Sequence, residues 1–234
     1  VTFLELLQRW KQESLVGGSA PLTVSGQTNM LGRGVSWLQD TWRDIQNMPA
    51  RNWRWMRAAA VKDVTVAGGM DYVPATDWSL TRFGRMKPEN DNPSAWYRPT
   101  AFLASAPQSE WPVRWLPYDR FRQLFLIGQP TSGPPQYWTE GPDGTVYVAP
   151  PPDQTYSFRF DYHKSAQELS VDADVPEMPT KFHLMIVWGA LNKYGSRLAA
   201  PEVLARSYDE YQRLETMLIH EQGETITLEQ VPIG

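Results

Sequence analysis

Four groups of side chains in this sequence could do chemistry: three histidines, two aspartates one helical turn apart, an acidic run, and two clusters of Trp with Arg. His163, His183 and His220 could bind a metal or move protons. Each stands isolated, with no H-x-x-x-H spacing, and the chain has no Cys, so no zinc site is assigned. His183 lies in an apolar stretch and reads as a hydrogen-bonded packing residue. Asp40 and Asp44 imitate the carboxylate pair of a glycosidase. Arg43 beside them, and their position off the apolar stripe, favour a solvated or interface face. Asp172, Asp174 and Glu177 (DADVPE) are spaced faintly like a calcium loop, but the Gly at its sixth position and the distant Glu are missing. An acidic loop ahead of a helix already suits the helix dipole. Gly32-Arg33-Gly34 is half a phosphate motif inside an expected helix, and no nucleophile elbow, Walker loop or dinucleotide-binding glycine pattern occurs. No catalytic, cofactor-binding or metal site follows from these residues, and no cofactor is expected.

The aromatic clusters are Trp53 and Trp55 in NWRWMR, and Trp111 and Trp115 in WPVRW. Indoles beside guanidiniums can stack sugars or bases, or make cation–π contacts between subunits. For the first pair, packing at the root of a hairpin is favoured. For the second, contact with a neighbouring subunit competes equally with packing. The whole chain carries 11 Trp and 20 Pro, which suits an interface rich in rigid aromatic anchors or an aromatic monomer core.

The elements that must position these residues follow from periodicity. Thr2 and Glu5 form a capping-box pattern, with Phe3, Leu7, Trp10 and Ser14 on one helical face; Gly17-Gly18-Ser19 should stop that helix. A second helix is expected over 28–48, ended by Pro49, with Leu31, Val35, Leu38, Trp42 and Ile45 as its buried stripe. The segments 58–66 and 70–73, joined through Ala67-Gly68-Gly69, read as a hairpin. A short helix is expected over 118–127 with Phe121, Leu124 and Phe125 inward. Residues 137–164 read as strand, Asp-Gly turn, strand, proline break and strand. An acidic loop then leads into a helix that is apolar on nearly every side over 182–191, so burial from several directions is required. Pro201 opens a last helix with Leu204, Tyr208, Tyr211, Met217 and Leu218 facing inward, and an extended tail follows Gln222.

The expected fold is α+β: a helical bundle from the N- and C-terminal helices, a β-rich middle module and an extended C-terminal tail. The boundaries are 1–57 and 178–222 for the helical core, 58–177 for the β-rich insert, and 223–234 for the tail. A chain of 234 residues can bury a core of this kind. Its net charge of −4 argues against tight non-specific binding to nucleic-acid phosphates. The lack of Cys fits folding in a reducing cytoplasm. No apolar run approaches the ~20 residues that span a bilayer, and no basic region followed by an apolar one opens the chain.

Four segments together carry a resemblance: TFLELLQRWKQES at the start, VSGQTNMLGRGVSWLQDTWRDIQ, WLPYDRFRQLF, and residues 137–194. They resemble the head-to-tail adaptor proteins of tailed, podovirus-like bacteriophages, over nearly the whole chain. Asn29 and Gly32 depart from the charged residues more usual there, which affects the start of the second helix. The resemblance implies a virion protein that forms a ring of about twelve copies under the portal, joins it to the tail or nozzle, and continues the DNA channel. It implies as partners other copies of the chain, the portal protein, tail, nozzle or fibre proteins, and DNA passing without sequence-specific binding. No membrane partner is implied. In that setting Ile226, Leu228, Val231 and Ile233 are the expected portal contacts of the tail, and Trp111, Trp115, Tyr208 and Tyr211 the candidate subunit contacts. A tail-associated muralytic or carbohydrate-binding protein is the alternative.

Overall fold

The computed structural model describes residues 1–48, 52–65, 69–86, 99–128, 130–198 and 200–223. The fold is α+β, and the chain divides into two compact units, Val1–Met56 with Ala166–Gly234, and Arg57–Ser165. The first is helical and the second is built from strands, each around its own apolar core.

In the helical unit, α1 (Phe3–Ser14) opens with the capping box read from the sequence. Thr2 N–H donates to Glu5 Oε2 at 2.8 Å, and Glu5 N–H to Thr2 Oγ1 at 3.3 Å. Phe3, Leu6, Leu7, Trp10 and Ser14 are buried on one face. The helix ends at Leu15, which turns left-handed at φ 57°, so it stops just ahead of the expected glycines. Helix α2 (Asn29–Gln46) buries Leu38, Trp42 and Ile45, while Leu31 and Val35 are half-buried against the same core. Its entry explains the two unusual residues at its start. Asn29 sits at φ 54°, a region Asn tolerates better than most residues. A Cβ on Gly32 would lie 2.7 Å from Gln27 O.

Helix α4 (Leu184–Leu198), entered through a 3₁₀ turn at Thr180–Phe182, is the centre of this unit. It packs on α1, α2 and α5 (Pro201–Gln222), and its residues 185–191 are all buried, as the all-round apolar pattern requires. Close approach is written into its glycines. A Cβ on Gly189 would lie 2.4 Å from Thr41 Cγ2 of α2 and 3.0 Å from Tyr211 Cε2 of α5. Ion pairs on the surface also link neighbouring helices. Lys193 Nζ reaches Asp44 Oδ2 at 2.7 Å, and Glu13 of α1 pairs with both Arg9 at 2.7 Å and Arg206 of α5 at 3.2 Å.

The inward face of α5 differs from the expected one. Ser207, Leu214 and Leu218 are buried, with Val203 and Tyr211 half-buried, whereas Tyr208 (56% exposed) and Met217 (47%) point to solvent. Ser207 carries the register that a hydrophobicity reading misses. Its hydroxyl is buried because it bonds Asn192 Oδ1 of α4 at 2.6 Å.

Residues 166–177, expected with the β-rich insert, belong to the helical unit because their backbone is pinned there. Gln46 of α2 accepts from Gln167 N–H at 2.7 Å and donates to Gln167 O at 3.0 Å, and Gln39 donates to Leu169 O at 2.8 Å. Further along, Asp174 O accepts from Phe3 N–H at 2.7 Å and Asp172 O from Leu4 N–H at 3.2 Å. The loop therefore satisfies first-turn donors of α1 that no helical carbonyl can reach.

The strand unit holds two sheets. In the first, β9 (Tyr156–Lys164) pairs along its length with β1 (Arg57–Val64) on one edge. Its other edge is shared by β4 (Thr100–Leu103) and β3 (Phe83–Met86), and β4 continues to β5 (Ala106–Pro112). The second sheet runs β2 (Asp71–Tyr72), β8 (Val146–Ala149), β7 (Tyr137–Glu140) and β6 (Arg114–Trp115), the last pair parallel. Strands β7 and β8 form the hairpin anticipated around Asp143-Gly144, with Gly144 at φ 79°. Tyr156, Phe158, Phe160 and Tyr162 alternate inward along β9 and meet Trp138, Val146 and Val148 of the other sheet in one core.

The expected hairpin of 58–66 with 70–73 does not form. Strand β1 pairs with β9 and β2 with β8, so these neighbours in sequence go to different sheets. The Tyr72 hydroxyl helps hold the crossing, bonding Thr65 O and Gly69 O at 3.1 Å each and accepting from Thr65 N–H at 2.9 Å. The expected helix over 118–127 is a single α-turn, α3 (Tyr118–Phe121), running into a π-turn at Arg122–Leu126. Phe121 is fully buried and Phe125 half-buried, but Leu124 is 45% exposed. The wider π-turn rotates it out of the helical stripe.

Candidate interaction site

The chemistry-bearing residues are occupied by structure. His183 is buried, with Nε2 on Met178 O at 2.9 Å. Burial holds its imidazole below the ordinary histidine pKa, against the backbone carbonyls that would favour its protonation. It is a packing residue at the start of α4. His163 lies on β9 and His220 in the last turn of α5, so the three histidines are not gathered. Asp40 pairs with Arg43 at 3.5 Å and Asp44 with Lys193, both largely exposed, which suits ion pairing on a helix surface.

The acidic loop is likewise committed. Asp172 Oδ1 accepts from Val24 N–H at 2.6 Å and Thr23 Oγ1 at 3.1 Å. Asp174 Oδ2 accepts from Ser170 N–H at 2.5 Å and Val171 N–H at 2.8 Å, and these backbone donors hold its carboxyl below the usual range. Among the described residues, no group of three or more His, Asp or Glu is arranged to hold a metal ion. A cleft of about 670 Å³ in the strand unit is lined in part by Asp63, Asp71 and Asp77. Two of these are engaged: Asp77 accepts from Val73 N–H at 2.7 Å and Asp63 from the Ser157 hydroxyl at 3.2 Å. The Tyr72 hydroxyl beside them is pushed up to about 12 by burial.

The tryptophan pairs separate by role. Trp53 is buried, donates its indole N–H to Ile45 O at 2.7 Å, and stacks on Trp55 at 4.8 Å, so this pair is packing. Trp111 and Trp115 are half-buried against the sandwich core. At Val113 the chain passes from one sheet to the other. Val113 N–H donates to Pro99 O on the first side and Arg114 N–H to Gln136 O on the second, both at 2.8 Å. That corner opens a groove of about 520 Å³ lined by Trp111, Pro112, Arg114, Pro134, Gln136 and Tyr137. The volume lies within the range of small ligand sites.

The walls of the groove are held from behind. Trp111 donates its N–H to Pro135 O at 2.7 Å and meets the Tyr156 ring edge-on at 5.7 Å. The Tyr137 ring lies 5.6 Å from Phe125. Arg114 is exposed, and among the described residues no carboxylate pairs with it. The sequence pointed to Trp111 and, through the WPVRW cluster, to Arg114, but not to Pro134, Gln136 or Tyr137. Only the parallel pairing of β6 with β7 brings these two stretches together.

On the helical unit, Tyr208 is exposed, while Tyr211 packs beside Gly189, where burial raises its hydroxyl pKa. The tail residues Ile226, Leu228, Val231 and Ile233 lie outside the described residues. No helix among the described residues is long and apolar enough to cross a membrane.

No curated protein matches the chain. The family model described as SU10 adaptor protein matches it over residues 1–229, which takes in both units. By that match the chain belongs to the SU10 adaptor protein family, a family of bacteriophage head-to-tail adaptors.

Proposed function

We propose that this adaptor acts as a ring, with about twelve copies bound under the portal, joining it to the tail or nozzle and continuing the channel for DNA. The observation that carries the reading is the family match over residues 1–229, which spans the helical and the strand units together. Membership in an adaptor family points to a structural role in the virion instead of catalysis. The net charge of −4 supports the same reading, because a conduit must let DNA pass without gripping its phosphates.

In this mechanism the helical unit forms the body of the ring, and the strand unit faces neighbouring tail, nozzle or fibre proteins. Tyr208, exposed on α5, and Trp111, in the wall of the groove, meet adjacent copies or partners. Trp115 and Tyr211 support these contacts from behind, since each is packed within its own unit. Ile226, Leu228, Val231 and Ile233 of the tail dock on the portal by strand addition or by insertion into a groove.

The test is the mass and stoichiometry of the purified chain, alone and mixed with its portal protein, by native mass spectrometry. A ring that appears on the portal is the expected result. Deleting residues 224–234 should then weaken portal binding at least tenfold. A chain that ignores the portal but binds or clears cell-wall material would overturn the adaptor reading.

A further inference from the structure

We propose that the groove at the sheet-to-sheet corner binds an extended, proline-containing, acidic polypeptide segment of a neighbouring virion protein. Three features of its lining select this ligand. The flat walls come from Trp111 and Tyr137, and aromatic-lined grooves take the ridged, low-entropy polyproline II helix. Trp111 is already fixed by its bond to Pro135 O and by Tyr156, so little side-chain entropy remains to be lost on binding. The remaining walls, Pro112 and Pro134, carry no backbone N–H and offer no donor of their own.

Donors come instead from the ends of side chains. Arg114 presents five N–H groups and Gln136 two. A proline segment is the complementary ligand, because its backbone has carbonyl acceptors and no donors at the proline positions. The acidic requirement follows from charge. Arg114 is exposed without a carboxylate partner among the described residues, while Arg159, nearby in the same unit, is already paired with Glu110 at 2.8 Å. A Glu or Asp in the ligand would supply the bidentate partner that Arg114 lacks. The adaptor reading enters only to name a neighbouring virion protein as the source of the segment.

The test uses the full chain and three synthetic probes followed by calorimetry: a nonapeptide of prolines interrupted by Glu, the same peptide with Lys for Glu, and an N-acetylglucosamine tetramer. The Glu peptide should bind, and the Lys peptide should bind at least tenfold more weakly. Arg114→Glu should weaken the Glu peptide at least tenfold and narrow or reverse the preference, while Gln136→Ala weakens both peptides alike. Both substitutions are at exposed positions and should leave the thermal midpoint unchanged, which separates loss of binding from loss of fold. No binding of the Glu peptide, or equal binding of both peptides, would overturn the proposal. Binding of the tetramer that Arg114→Glu abolishes would reassign the groove to glycans and also overturn it. Ring formation on the portal is read separately, so failure to form the ring with intact peptide binding would sink the ring reading alone.

Discussion

Gly189 and His183 show how single residues carry structural weight in the helical unit. Gly189 lets α4 approach α2 so closely that an added methyl would collide with Thr41 Cγ2. Gly189→Ala should therefore cost about 1–3 kcal/mol by overpacking, despite the gain in helix propensity. Thr41→Ser removes the colliding methyl and should recover part of the loss; urea midpoints of the single and double variants check this. His183 makes stability depend on pH. Its folded pKa is below the ordinary value of about 6.5, so under that pH the unfolded chain takes up a proton that the folded chain refuses. The contribution of the neutral imidazole is full above about pH 6.5 and is lost as pH falls from there toward the folded value. Between pH 7.5 and 5.5, wild type should lose more stability than His183→Asn, and equal losses would remove His183 as the cause.

Among the elements, α5 and β9 show opposite degrees of legibility. Strand β9 alternates aromatic residues inward with Arg159 outward, and an alternating strand has two faces to choose between. Phe160→Ala should cost about 3–5 kcal/mol, because the ring is nearly inaccessible among Trp78, Phe158 and Tyr162. Helix α5 buries Ser207 and exposes Tyr208, against the ordinary ranking of those side chains. Tyr208→Ser should thus change the stability of the isolated chain by less than about 0.5 kcal/mol. On the ring reading, the same substitution should weaken assembly on the portal. A destabilised monomer would show instead that this Tyr packs within its own unit.

At the scale of the whole molecule, two units with separate cores predict unfolding in more than one step. Hydrogen exchange at rising urea should sort the amides of α4 and those of β9 into sets with different opening energies. A single shared opening energy would show that the two cores unfold as one. The units also divide the functional labour proposed above, since the groove belongs wholly to the strand unit. A substitution such as Arg114→Glu should leave the opening energy of the α4 amides unchanged.

The sequence by itself determined the features whose physics is local. The Thr2–Glu5 capping box, the stripe of α2, the all-round burial of α4 and the Asp-Gly hairpin of β7 and β8 each depend on residues within a few positions of one another. The resemblance carried by four segments was legible for the same reason, since it rests on stretches read one at a time. Tertiary structure decided what depends on partners distant in the chain. The segments 58–66 and 70–73 look like hairpin arms, yet β1 finds β9 about a hundred residues later, because backbone pairing carries no sequence label. Ser207 faces inward because Asn192 on another helix meets its hydroxyl. The acidic loop reads as a weak calcium site until its carboxylates and carbonyls are seen on the amides of Val24, Phe3 and Leu4. The groove was half visible: Trp111 announced itself as an aromatic anchor, but Gln136 and Tyr137 join it only where β6 lies beside β7. A side chain's type states what it can bind, and only the packed fold states what stands next to it.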